Sequence, residues 1–234
     1  MRLINTTTGQ FSEFPETQLP RYAVLSHTWG EEEVSYLDLL YISSDLPAST
    51  AGLVQALLKK SPRDTQGYGK VQECCRLARS RGLDWVWIDT CCIDKSSSAE
   101  LSEAINSMWR WYRDADEAYA YLYDVTLGPD WNQGTLHQLS RARWFTRGWT
   151  LQELLAPKEV LFCNCRWQVF ASKKGIAQEI SNITNIPLVF LDGSSSPSDS
   201  TTCSVAMRMS WVSKRQTTRP EDIAYCMLGL FDGQ

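Results

Sequence analysis

Four short runs of nearly unbroken apolar residues recur along the chain: Tyr22-Ala-Val-Leu-Ser26, Leu83-Asp-Trp-Val-Trp-Ile-Asp89, Ala118-Tyr-Ala-Tyr-Leu-Tyr-Asp-Val125 and Lys158-Glu-Val-Leu-Phe-Cys-Asn-Cys165. Each is too short for a helix of ordinary length, and none alternates as a strand with one wet face would. Strands buried on both faces and separated by helices belong to a parallel sheet covered on both sides. The chain is therefore expected to be α/β and flavodoxin-like, with a mostly parallel sheet and helices on both faces. The helical signals lie between those runs. Lys70 to Arg81 puts Val71, Cys74, Cys75 and Ala78 on one face and stops at Gly82. Ser97 and Glu100 form a capping box ahead of Leu101, Ile105, Met108, Trp109 and Tyr112. Glu31 to Leu40 reads as a short strand or as a turn and helix, and Ala51 to Lys60 as an inserted helix. Trp149 to Leu155 is a short helix ended before Pro157, and Lys173 to Asn182 is another. Val205 to Arg215 and Pro220 to Leu230 close the chain as two helices.

At 234 residues the default is a single domain over 1–234. A composition of 43% hydrophobic and 21% charged residues excludes a disordered or low-complexity chain. No apolar run approaches the ~18 residues that cross a bilayer. Met1 to Phe14 lacks the apolar core of a secretory signal, so a soluble, cytoplasmic protein is expected. The eight cysteines sit inside apolar stretches, as in Cys74-Cys75 and Cys91-Cys92, and read as reduced core thiols. With no CxxC and only two histidines, no metal site is expected. A net charge of −4 argues against a nucleic-acid binder, although Arg141, Arg143 and Arg147 form a local basic group.

In sheets of this kind ligands bind beyond the carboxyl ends of the strands. The residues to inspect are Ser26 to Gly30, Asp89 to Asp94 and Asp124. Nucleophilic hydrolase patterns are absent: there is no GxSxG, and a Cys92–His27 pair has no local support. Gly67-x-Gly69-Lys70 lacks the spacing of a phosphate loop and reads as a helix entry. The segment from Arg143 to Glu153 packs two arginines, two tryptophans and a carboxylate into eleven residues. Trp149 and Glu153 are i and i+4, so ring and carboxylate share a helical face. That combination suits a cationic aromatic ligand and a developing oxocarbenium ion. The bland alternative makes Trp149 core and Glu153 a solvated helix residue.

Three ordered blocks, Tyr22-Ala-Val-Leu-Ser-His-Thr-Trp-Gly30, Trp87-Ile-Asp-Thr-Cys-Cys-Ile-Asp94 and Arg147-Gly-Trp-Thr-Leu-Gln-Glu153, resemble the signature of the fungal heterokaryon-incompatibility (HET) domain. The closing Arg219 to Phe231 is similar to that family's C-terminal boundary. The resemblance implies a fungal cell-death effector, the N-terminal part of a longer receptor with nucleotide-binding and repeat modules. It also implies a distant likeness to TIR domains, some of which cleave NAD+ at the nicotinamide–ribose bond with a glutamate on a short helix. Carried over residue by residue, that makes Glu153 the catalytic carboxylate. Trp149 or Trp29 would stack on nicotinamide, and Arg143 or Arg147 would pair with pyrophosphate. Ser26 and Gly30 would complete the substrate site, and Asp89 and Asp94, at the end of the second strand, would bond a ribose hydroxyl or hold the loop. The expectation is thus a NAD+ glycohydrolase with NAD+ as substrate and no further cofactor. Self-association would activate it, and neither membrane nor nucleic acid would be a partner. The competing expectation is a non-enzymatic TIR-like assembly scaffold.

Overall fold

The four apolar runs fold as strands for the reason their composition gives: β-branched and aromatic side chains pack well on a pleated surface buried on both sides. The computed structural model describes residues 1–43, 61–126, 133–199 and 201–231. The inserted helix expected at Ala51 to Lys60 lies outside these residues. The chain divides into two compact units, Met1–Leu25 with Trp29–Ile105, and Ser26–Thr28 with Asn106–Gln234.

In the first unit the strand order is β2-β1-β4-β3. β1 (Arg2–Asn5) and β2 (Phe11–Glu13) form an antiparallel hairpin that the apolar pattern does not announce. Its turn is built by Asn5, whose Oδ1 accepts the N–H groups of Thr7 and Thr8, both at 3.0 Å. β3 (Tyr22–His27), buried along its whole length, pairs in parallel with β4 (Trp85–Trp87). β1 pairs antiparallel with β4. The Glu31 to Leu40 ambiguity resolves to helix α1 (Tyr36–Ser43).

α2 (Gln66–Ser80) starts four residues earlier than its apolar stripe suggests, because Thr65 caps it by accepting the Tyr68 N–H at 3.2 Å. It stops where expected. Gly82 takes φ +76°, and Leu83 N–H reaches back to Ala78 O at 3.0 Å, closing the last turn. α3 (Ser98–Arg113) begins with half of the expected capping box. Ser97 Oγ accepts the Glu100 N–H, but the Glu100 carboxylate takes the Asp94 N–H at 2.7 Å and the Arg2 guanidinium at 2.8 Å. The acid is drawn to a cation that the local motif does not contain.

In the second unit the order is β5-β6-β7. β5 (Glu117–Tyr121) runs parallel to β6 (Val160–Cys163), and β7 (Val169–Ser172), another strand without an apolar run, pairs antiparallel with β6. The fold class is thus α/β, with seven strands among the described residues. Parallel pairs hold the strands read from the sequence, and antiparallel pairs hold those that were not. The helices here are α4 (Gln133–Arg141), α5 (Thr150–Leu155), α6 (Ala177–Thr184), α7 (Leu188–Leu191) and α8 (Val205–Val212). The helix expected over Pro220 to Leu230 is instead two short ones, α9 (Asp222–Tyr225) and α10 (Leu228–Phe231). The break falls at Cys226 and Met227, both of which are buried in the core. Seven of the eight cysteines are buried, and all eight are free thiols. Among the described residues no helix is long and apolar enough to cross a membrane.

α5 is too short to be stable alone, and it is secured at its C-terminal end by a buried lysine. Lys173 Nζ donates to Leu154 O at 3.2 Å and to Pro157 O at 2.5 Å. Burial pushes its ammonium down from 10.5 to about 8, against the opposing pull of Glu159. Between those two values the unfolded chain holds a proton that the folded chain has released, so this group's contribution to stability rises with pH from about 8 to 10.5. The full rise is on the order of 3.5 kcal/mol, since each pH unit between the two values contributes ~1.4 kcal/mol. The buried Cys75 and Cys226 thiols, each raised to about 12, act in the opposite direction above pH 9. The expected result is therefore a difference. Urea stability of the native chain minus that of Lys173→Met increases between pH 8 and 10, and a flat difference would remove Lys173 as a proton-linked clamp.

Candidate functional site

α5 owes its position to the turn before it. Arg143–Thr146 makes a short 3-10 turn, and Arg147 then pairs with Gln216 as an isolated bridge. Gly148 follows, donating its N–H to Gln216 O at 2.9 Å. A Cβ there would stand 2.4 Å from Thr217 Cγ2, so any side chain at this position would have to push the Thr217 methyl aside.

Glu153 lies in the first turn of α5 and is 7% exposed. Its Oε2 accepts the hydroxyl of Ser26, from the end of β3, and Ser26 Oγ accepts the indole N–H of Trp144 at 2.7 Å. Trp144, Ser26 and Glu153 thus form a buried donor chain that ends on the carboxylate. Below them Thr150 Oγ1 donates to Trp144 O at 2.6 Å and accepts from Arg215 Nη1 at 2.8 Å. Arg215 also donates to Arg147 O at 2.9 Å and, through Nε, to Trp211 O at 3.2 Å. Burial lowers the Arg215 guanidinium to about 10, with Cys226 and Glu153 opposing that shift. The Cys226 thiol is raised to about 12, chiefly by burial; Asp222 and Glu153 raise it further and Arg215 opposes. The centre is therefore a carboxylate, a guanidinium and a protonated thiol in one buried neighbourhood.

Trp149 stands half-buried at the head of the helix and donates its indole N–H to Asp222 Oδ2 at 3.1 Å, anchoring α9. Arg143 is exposed, and its backbone N–H donates to Asp124 Oδ2 at 2.8 Å. Arg147 is half-buried and reaches Thr218 Oγ1 at 3.3 Å.

The first unit assembles a second group. Trp29, 43% exposed, donates its indole N–H to Asp89 Oδ2 at 2.8 Å, and Lys95 Nζ sits 3.8 Å from the centre of its ring. Gly30 N–H donates to Glu33 Oε1 at 2.6 Å, and Glu33 also pairs with Lys70. Asp94 Oδ1 accepts the Ser96 hydroxyl at 2.6 Å and the Ser96 N–H at 2.9 Å, which holds its carboxyl below the usual range. Those bonds shape the loop after Asp94. Cys92, buried, receives the Ile88 N–H on its sulfur at 3.3 Å, a packing role rather than a nucleophilic one.

Of the residues singled out in the sequence, the fold joins Ser26 to Glu153 across 127 positions and Trp29 to Asp89 across 60. It sends Trp149 to Asp222 and Arg147 to Thr218. Trp144, Arg215 and Lys95 were missed. Trp144 sits in the Arg143 to Glu153 block and was legible there. Arg215 lies far downstream in an unremarkable helix end and carried no local signal. Among the described residues no group of three His, Cys, Asp or Glu is placed to hold a metal ion.

A family model described as "Heterokaryon incompatibility protein (HET)" matches residues 22–127, which takes in the first two sequence blocks but not the third. The chain is 42% identical over 229 residues to "Vegetative incompatibility protein HET-E-1" of Podospora anserina, an alignment covering 94% of this chain. The chain spans 15% of the length of that relative. No solved structure matches it.

Proposed function

Because the chain carries a heterokaryon-incompatibility HET domain, we propose that it serves vegetative incompatibility as a cell-death effector, within a larger receptor, and kills by cleaving NAD+ at the nicotinamide–ribose bond. The observation that supports this reading most is the buried Trp144–Ser26–Glu153 chain. Nicotinamide leaves a pyridinium as a neutral base, so the step needs no general acid. One carboxylate is enough to stabilise or trap the oxocarbenium ion. Glu153 supplies that charge, and Ser26 and Trp144 fix its orientation. Arg215, in the same neighbourhood, keeps a positive field on it.

The 7% exposure of Glu153 fits a resting state of low activity that self-association opens. Nicotinamide release per molecule is accordingly expected to rise steeply, by about tenfold or more, when the purified chain is clustered on a multivalent support, as for processes governed by effective concentration. A release rate independent of clustering would sink the activation step.

A second reading has its own support. Glu153 and Trp149 both have internal partners, Ser26 and Asp222, as residues of an assembly scaffold would. No nicotinamide release in clustered protein that still triggers cell death would favour the scaffold.

A further inference from the structure

A cavity of about 510 Å³ opens in the first unit, along α2. Tyr68, Val71, Gln72, Cys75 and Arg79 line it from one stripe of that helix, spaced i, i+3, i+4, i+7 and i+11. The stripe is about 16 Å long at the rise of a helix. At the Tyr68 end the opposite wall comes from Leu39 and Ile42 of α1, with Arg63 donating to Ile42 O at 2.7 Å. At the other end it is the Thr6 to Gln10 turn of the β1–β2 hairpin, to which Arg79 is fixed by a bond to Thr6 O at 2.9 Å.

This cavity is separate from the site described above. Thr6 donates to Leu83 O and Asp84 O, just before β4, whereas Trp29 and Asp89 follow the carboxyl ends of β3 and β4. Its chemistry is lopsided. Two guanidiniums face it, each bonded to a single backbone carbonyl; among the described residues neither is in an ion pair, and no carboxylate lines the cavity. In a chain of net charge −4, a lining with two guanidiniums and, among the described residues, no carboxylate suits an anionic ligand. The volume lies within the ~300–1,000 Å³ typical of small-molecule sites. The Cys75 thiol in its wall is raised to about 12 by burial, so the cavity holds no thiolate nucleophile and is suited to binding rather than covalent chemistry.

We infer that this cavity binds a nucleoside phosphate, its phosphates on Arg79 and the Thr7 hydroxyl, its base against Tyr68, Leu39 and Ile42. An arginine fork matches phosphate oxygens, and an aromatic and aliphatic wall matches a planar base. The site is independent of the chemistry assigned to Glu153.

ADP, adenosine and inorganic pyrophosphate, each titrated into the purified chain by calorimetry, test it. ADP saturates the chain, and adenosine and pyrophosphate each bind at least about tenfold more weakly, because each lacks one half of the recognition. Arg79→Met loses ADP binding by about tenfold or more, and Arg79→Lys recovers part of it. Gln72→Trp fills the cavity from an exposed position and abolishes binding. Glu153→Gln leaves ADP binding unchanged. Absence of saturation, equal binding of adenosine or pyrophosphate, or ADP affinity undiminished in both the Arg79→Met and Gln72→Trp variants would overturn the assignment.

Discussion

Glu153→Gln is expected to remove nicotinamide release from NAD+ by about three orders of magnitude while leaving the fold intact. Removing one preorganised electrostatic group from a water-poor site costs ~10²–10³ in rate, and here the group lost carries the only charge assigned to the transition state. Glutamine keeps the volume and can still accept the Ser26 hydroxyl through its amide oxygen, so the buried chain from Trp144 stays paired. Circular dichroism and urea unfolding of the variant should therefore match the native chain closely. Ser26→Ala supplies the graded control. It leaves the charge but removes its orientation and strands the Trp144 N–H, so it should lower the rate less than Glu153→Gln does and cost some stability. A Glu153→Gln protein that releases nicotinamide at the native rate, folded and clustered alike, would take the catalytic role away from this residue.

Arg215→Met is expected to destabilise the chain by about 3 kcal/mol, roughly a 10 °C fall in Tm for a chain of this length. Two effects oppose each other. Burial already disfavours the charge, as the lowered guanidinium shows, so an apolar replacement relieves that cost. Against it, three hydrogen bonds from the guanidinium, to Arg147 O, Thr150 Oγ1 and Trp211 O, are lost at once. A hydrogen bond to a charged group is worth ~1.5–3 kcal/mol, so their sum prevails even though Arg147 O keeps the Thr150 hydroxyl. The loss falls at the entrance to α5, and the variant should also release less nicotinamide in proportion as the helix frays. Arg215→Lys, with charge but a poorer fit to three divergent acceptors, should lie between. Urea unfolding decides it, and a Met variant as stable as the native chain would make Arg215 a tolerated burden instead of an anchor.

The strands and the longer helices were legible because their signals are local. Apolar continuity in Tyr22–Ser26, the stripe of Val71 to Ala78 and the stop at Gly82 each depend on residues within a few positions of one another. The β1–β2 hairpin and β7 escaped notice because they are strands of only three or four residues with little apolar pattern of their own. What makes them strands is the partner edge they pair with. The half-formed capping box at α3 follows the same logic, since Arg2, nearly a hundred residues away, takes the glutamate that local reasoning gave to the cap.

The sequence by itself determined the α/β class, the burial of the cysteines, the family blocks and the placing of Glu153 on a short helix, all of which depend on periodicity, composition and short-range spacing. Only the tertiary structure decided what Glu153 touches. Ser26 approaches it from β3, Trp144 from the preceding turn and Arg215 from the far end of the chain, and Trp149 is turned away to Asp222. Hydrogen bonds and charge interactions act over a few ångströms of space, whatever the separation along the chain. Which donors meet a buried carboxylate is therefore settled by packing and cannot be read from spacing.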